Sequence, residues 1–149
     1  MPHQLITLFL HELLKAHLTT HKLGTALVAP FRVRLRPGKL REPDVLCMLS
    51  RHASRMGGAF WEGADLVMEV VSGDERGRER DLDTKRRDYA EAGIPVYWVV
   101  DPLRDRIIVL TLRDGRYERV GEFAPGEEVF SVFLPGFRVP VAPALSPPR

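Results

Sequence analysis

The 149-residue sequence predicts an α/β protein with a mixed β-sheet flanked by helices. Three observations predict this class. Apolar residues recur at helical spacing near the N-terminus, three later runs of apolar and β-branched residues predict buried strands, and a charged helical segment separates the last two runs. That strand–helix–strand unit is long enough for a parallel crossover, whereas the earlier strands have short connections and are expected to be antiparallel. We expect a single domain over residues 1–142 and a frayed tail over 143–149.

The N-terminal half is predicted to contain one helix and three strands. Apolar side chains three or four residues apart over 4–18 predict an amphipathic helix. Residues 27–35 alternate between apolar and arginine side chains, which is typical of a strand with one solvated face. Asp44–Leu49 and Ala64–Val71 are apolar on both faces and predict central strands, with a loop over 50–63 between them.

The C-terminal half is predicted to add a helix, a strand and a hairpin. The charged segment over 78–92 predicts the helix, and Val96–Val100 predicts a third central strand. Two further strands over 107–123 flank Asp114-Gly115, which is a strong hairpin signal. The core elements therefore follow the order αβββαβ, with a C-terminal β-hairpin after them.

Composition limits the function classes. The net charge is only +2, so no strong basic field indicates a nucleic-acid partner. Arginines cluster at Arg32, Arg34 and Arg36, a pattern that suits either phosphate contact or surface ion pairs. No apolar run approaches the ~20 residues needed to span a bilayer, so no membrane partner is expected. The single cysteine, Cys47, excludes an internal disulfide and fits the cytoplasm, which is the expected location.

Two carboxylates stand in or beside the predicted central strands. Asp44 follows Glu42-Pro43 at the start of one strand, and Glu69 lies inside the next. A buried carboxylate is costly unless it is paired, hydrogen-bonded or bound to a metal. On neighbouring strands, the two acids indicate a divalent-metal site. Two alternatives stay open: Asp44 simply begins a strand, or Glu69 forms a buried salt bridge.

The second predicted helix carries three polar residues on one face. Asp81, Lys85 and Tyr89 are each four residues apart, so their side chains project from the same side of the helix. One interpretation is that this side faces the strand ends where the two acids lie. The alternative is an ordinary helix ion pair between Asp81 and Lys85, worth only ~0.3–0.5 kcal/mol.

This ordered set resembles the core of the PD-(D/E)XK nuclease fold, and more closely the Uma-type restriction endonuclease family of bacteria. The similarity extends from His3 to about Phe137. It is carried by Glu42-Pro43-Asp44-Val45, by Ala64 to Ser72, by Asp81 with Lys85 and Tyr89, and by Ala92 to Pro102. The resemblance implies a restriction-endonuclease-like fold and metal-dependent hydrolysis of DNA phosphodiester bonds. It also implies a homodimer, with an interface expected around Tyr97-Trp98 or the hairpin.

The resemblance further implies roles for individual residues. Asp44, Glu69 and the backbone carbonyl of Val70 would bind Mg²⁺, or Mn²⁺ in its place, since these cations need few protein ligands. The nuclease pattern has a lysine two residues after the second acid, where this chain has Val71. By resemblance, Lys85 replaces that lysine in catalysis, with support from Asp81 and Tyr89.

Other hypotheses remain. Because the strand lysine is absent, the chain can be a catalytically inactive binding or assembly module with a nuclease fold. A third hypothesis is a subunit of a defence or mobile-element system whose activity needs another chain. Family members carry additional N-terminal sequence, so we expect this chain to lack any site residue that such a segment supplies. His3 matches a histidine that the family places before the first core helix.

Overall fold

A computed structural model describes residues 2–73 and 75–148, apart from the side chains of Pro2 and of residues 75–79. A 3₁₀ helix at Ser50–Arg55 adds to the α-helices and β-strands. In chain order these are α1 (Pro2–Thr20), β1 (Gly24–Val28), β2 (Arg32–Arg36), β3 (Lys39–Arg41), β4 (Val45–Leu49), β5 (Phe60–Glu62), β6 (Leu66–Val70), α2 (Glu75–Glu91), β7 (Val96–Asp101), β8 (Arg106–Arg113), β9 (Arg116–Phe123), β10 (Glu128–Phe130), β11 (Arg138–Pro140) and α3 (Val141–Leu145).

A six-stranded mixed sheet forms the centre, with the strand order β1-β4-β6-β7-β8-β9. Strands β6 and β7 are parallel and joined through α2, while all other neighbours in this sheet are antiparallel. The predicted central strands are the fully buried β4, β6 and β7, because each is apolar on both faces. The predicted hairpin is β8–β9, and Asp114 and Gly115 at its turn have the positive φ angles (53° and 78°) that such a turn requires. The predicted mixed α/β fold is confirmed.

Each face of the central sheet is covered by a different set of elements. Helix α1, the β10–β11 pair and α3 pack on one face, where α1 contributes its stripe of Ile6, Leu10, Leu14 and Leu18. Helix α2 and a small sheet of order β3-β2-β5 lie on the other face. The predicted amphipathic helix is therefore confirmed, and the second face holds the candidate site.

The single strand predicted over 27–35 is wrong. The chain leaves the central sheet after Val28 and enters the small sheet at Arg32, so the alternating segment divides between two sheets. Pro30 stands at the break, where its missing amide hydrogen makes it a poor member of a continuous ladder. The alternation itself is real, since Val33 is fully buried between exposed or half-buried arginines.

Three further expectations need correction. The segment over 50–63 is not only a loop, because it contains the 3₁₀ helix and β5, which pairs in parallel with β2. The boundary predicted at residue 142 falls inside α3, where Ala144 and Leu145 are buried; Arg149 lies outside the described residues. Tyr97 and Trp98 are fully buried in the central sheet, so they cannot form the expected dimer interface.

In the described part of the chain, no helix is both long and apolar enough to cross a membrane.

Candidate active site

The two strand acids meet at one end of the central sheet. Strands β4 and β6 pair with Val45 opposite Met68, which places Asp44 beside Glu69 across the antiparallel ladder. The Asp44 carboxylate accepts a hydrogen bond from the Val70 amide at 2.7 Å, so it is fixed against the next strand. Both acids line the same cleft of about 110 Å³. The predicted convergence is therefore observed.

The face of α2 that carries Asp81, Lys85 and Tyr89 is directed at this cleft. Lys85 Nζ lies 3.2 Å from Glu69 Oε1 and 3.1 Å from Asp81 Oδ2, so it bridges the buried acid and the exposed one. The Tyr89 hydroxyl donates a short hydrogen bond to Glu69 Oε2. Glu69 is thus held from the helix through both of its oxygens, and Lys85 does more than form a surface ion pair along α2.

Asp44 keeps one oxygen available. Its Oδ2 atom accepts the Val70 amide and lies 3.3 Å from His3 Nε2 on α1. Its Oδ1 atom has no hydrogen-bond partner among the described residues. An unpaired oxygen on a carboxylate that is fixed at the cleft suits a hard cation.

The electrostatics of the cleft depend on the burial of Glu69. The pKa of Glu69 is raised to about 7. Burial is the main cause and Asp44 adds to it, while Lys85 and Tyr89 oppose the shift. For Lys85, burial favours the neutral amine, but the carboxylates of Glu69 and Asp81 outweigh it and the pKa is raised. Burial and Glu69 also raise the pKa of Tyr89. Lys85 therefore stays an ammonium group and Tyr89 stays a hydrogen-bond donor at neutral pH.

The raised pKa of Glu69 predicts a pH-dependent stability of the metal-free protein. The unfolded chain loses this proton near pH 4.5 and the folded chain near pH 7, so the folded state binds more protons between these values. The stabilisation is complete below about pH 4.5 and is lost as the pH rises through 7, a fall of ~3 kcal/mol. Urea unfolding in EDTA should show this fall in wild type and a smaller one in Glu69→Gln. Equal slopes in both proteins would contradict it.

Few side chains in the cleft are arranged to bind a metal ion. Among the residues that the structure describes, no group of three or more His, Cys, Asp or Glu side chains is arranged to hold a metal ion. Four acidic residues line the cleft, Glu42, Asp44, Glu69 and Asp81, and Val70 lines it beside them. Of these acids, Asp44 and Glu69 lie opposite each other on paired strands. Mg²⁺ commonly binds through one or two carboxylates and keeps several waters, whereas Zn²⁺ sites use three or four protein ligands. The carboxylates of Asp44 and Glu69 therefore suit a hard cation that keeps part of its hydration shell.

One ion-pair cluster that holds α2 in place has no signal in the sequence. Asp88 accepts a 2.8 Å hydrogen bond from Arg41 Nε and lies 3.3 Å from Lys39 Nζ, both on β3. Because these partners are almost 50 positions apart, no local spacing connects them. The cluster ties α2 to the small sheet and so helps to keep Lys85 over the strand acids.

Together, this αβββαβ core and the acid–acid–lysine cleft define a restriction-endonuclease-like protein. A family model described as "putative restriction endonuclease" matches residues 1–142. The chain therefore belongs to the Uma2 family.

One solved structure is similar over nearly the whole chain. It is the crystal structure of "a putative nuclease belonging to DUF820" from Anabaena variabilis, with a TM-score of 0.76 and 14% sequence identity. The match covers 98% of this chain and 81% of that one. At this identity the likeness shows the fold. None of the curated proteins compared with the chain matches it.

Proposed function

We propose that this protein is a metal-dependent endonuclease that hydrolyses phosphodiester bonds of DNA. One observation carries the proposal: Asp44, Glu69 and Lys85 come from three separate elements and converge in one cleft. Family membership supports nuclease chemistry, and the pair of carboxylates supports Mg²⁺, or Mn²⁺, as the cofactor. We also propose a homodimer, so that two clefts serve the two strands of a duplex.

The roles of the residues follow from their contacts. Asp44 Oδ1, Glu69 and the Val70 carbonyl would hold the cation, which when bound neutralises phosphoryl oxygens and acidifies a water. Lys85 is protonated in the cleft, so it acts as a donor that orients the attacking water or stabilises negative charge on the phosphate, and not as a base. Tyr89 fixes the Glu69 carboxylate, and Asp81 holds Lys85 near it.

Metal removal tests this proposal. We expect purified protein to nick or cleave plasmid DNA in MgCl₂ or MnCl₂, and to stop when EDTA is in excess. Calorimetry with Mn²⁺ should show binding tighter than millimolar. Cleavage that continues at full rate in EDTA, or folded protein that cleaves no DNA with either metal, would contradict the proposal.

A second candidate function is an inactive binding or assembly module. The observation in its favour is that Lys85 and Tyr89 engage both oxygens of Glu69, while Val71 stands where the nuclease pattern has a lysine. A metal must then compete with Lys85 for Oε1. If Mn²⁺ does not bind folded protein below millimolar concentration, this second candidate is the correct one.

A further inference from the structure

An arginine-lined groove lies at the other end of α2 from the cleft. It has a volume of about 480 Å³ and runs between the β2–β3 turn, the end of β5 and the turn after α2. We name it the arginine groove; its lining includes Arg34, Arg36, Arg55, Glu62, Gly63 and Gly93. It shares no lining residue with the cleft.

Two of the three arginines in this groove have uncompensated charge. Arg34 donates a 2.7 Å hydrogen bond to Glu62 Oε1 and a second, short one to Oε2, so this pair is neutral overall. Arg36 and Arg55 are exposed, and neither has an ion-pair or hydrogen-bond partner among the described residues. The C-terminal end of α2 contributes only about half a negative charge here. The groove is therefore a positive site.

The groove walls leave room for a polymer backbone. Gly63 and Gly93 both have positive φ, at 77° and 76°, and a Cβ atom at either position would meet no atom within 4 Å. Guanidinium groups bind phosphate through paired donors, and each of the two exposed arginines on this open groove can contact a phosphate. The chemistry favours a polyanion over an acidic peptide because only phosphates recur at a fixed spacing along a rigid backbone.

The groove and the cleft lie on the same face of the central sheet. The eleven residues of α2 from Asp81 to Glu91 are related by ten rises of ~1.5 Å, so this part of the helix separates the two sites by about 15 Å. On B-DNA this distance corresponds to roughly four or five base pairs, at ~3.4 Å per pair. Between the two sites, Lys39 and Arg41 share the carboxylate of Asp88, and the exposed Glu91 lies beside Lys39. These four side chains have no net charge, so the positive charge belongs to the groove itself.

We propose that the arginine groove binds the phosphate backbone of duplex DNA four or five base pairs from the bond that is hydrolysed in the cleft. This inference rests on the proposed function for its substrate, and it assigns Arg36 and Arg55 as the contacts that hold the duplex. Neither arginine touches the cleft, so both act on binding and neither is a catalytic residue.

Fluorescence anisotropy with a labelled 30-base-pair duplex tests the proposal in EDTA, where no cleavage occurs. For Arg36→Gln/Arg55→Gln we expect at least about tenfold weaker binding at 100 mM NaCl. The slope of log K against log[NaCl] should be shallower by about 2, because two phosphate contacts are lost. Arg36→Lys/Arg55→Lys keeps both charges and should keep most of the wild-type slope.

The matched control removes two positive charges from a different part of the protein surface. Arg113→Gln/Arg116→Gln alters two exposed arginines at the β8–β9 turn and should change the affinity less than twofold. The proposal is overturned if wild type does not bind the duplex, if the groove variant binds as wild type does, or if the control weakens binding equally.

The same experiment separates this proposal from the proposed function. Asp44→Asn removes a negative charge from the cleft, so it should bind the duplex at least as tightly as wild type in EDTA, although it should not cleave DNA in MgCl₂. If cleavage depends on Asp44 while the groove variant binds normally, only the groove proposal fails. If the groove variant loses binding but no metal-dependent cleavage is found, only the endonuclease proposal fails.

Discussion

Replacing Asp44 with asparagine is expected to lower metal-dependent DNA cleavage at least about 100-fold, because the cation loses a charged ligand. Asparagine has nearly the same shape and can still accept the 2.7 Å hydrogen bond from the Val70 amide, so the strand end should stay folded. Glu69→Gln should have an equal effect on cleavage. The measurement is the initial rate of plasmid cleavage over a range of MgCl₂ concentrations, with melting temperatures to confirm folding.

The matched control for these variants is Asp83→Asn. Asp83 is an exposed carboxylate on α2 that does not line the cleft, so its loss should leave the rate within about twofold of wild type. If stringently purified Asp44→Asn and Glu69→Gln cleave DNA as fast as Asp83→Asn, the cleft is not the active site.

Lys85→Met should lower kcat by about 100-fold, since a preorganised ammonium group beside the reacting phosphate is lost. Mn²⁺ affinity should stay the same or increase, because Nζ no longer occupies Glu69 Oε1 or repels the cation. This opposite behaviour of kcat and metal affinity separates a catalytic lysine from one that only stabilises the fold. Single-turnover cleavage and Mn²⁺ calorimetry on the same preparation measure both quantities.

Two further variants make the Lys85 test specific. Lys85→Arg keeps a cation in place and should recover part of the lost rate. Lys15→Met removes an exposed lysine of α1 and should have no effect on kcat. A normal kcat in Lys85→Met, or a loss of rate explained entirely by a lower melting temperature, would rule out the catalytic role.

Much of the fold could be predicted because the central strands have a simple signature. Strands β4, β6 and β7 are buried on both faces, so their sequences are continuous apolar runs that need no knowledge of the partner strand. Strand β2 shows the limit of this signal. Its alternation predicts one buried and one solvated face, but it does not indicate which sheet covers the buried face. The alternation therefore predicts a single strand where the structure has β1 and β2. Strand β5 has only three residues, too few for any period to appear.

The site was predictable to the extent that its residues are close in sequence or match a family pattern. The four-residue spacing placed Asp81, Lys85 and Tyr89 on one helix face, and the resemblance directed that face at the strand acids. The contact of His3 with Asp44 joins positions about 40 residues apart, and only tertiary packing of α1 against the sheet brings them together. The roles of these residues in metal binding and catalysis stay predictions.

A crystal soaked in MnCl₂, measured at the manganese absorption edge, tests the metal site most directly. We expect one anomalous peak in the cleft within about 2.0–2.3 Å of both Asp44 Oδ1 and a Glu69 oxygen, with Lys85 Nζ displaced from that oxygen. A cleft without an anomalous peak at saturating Mn²⁺, with Lys85 and Tyr89 still on Glu69, would contradict the metal-dependent endonuclease.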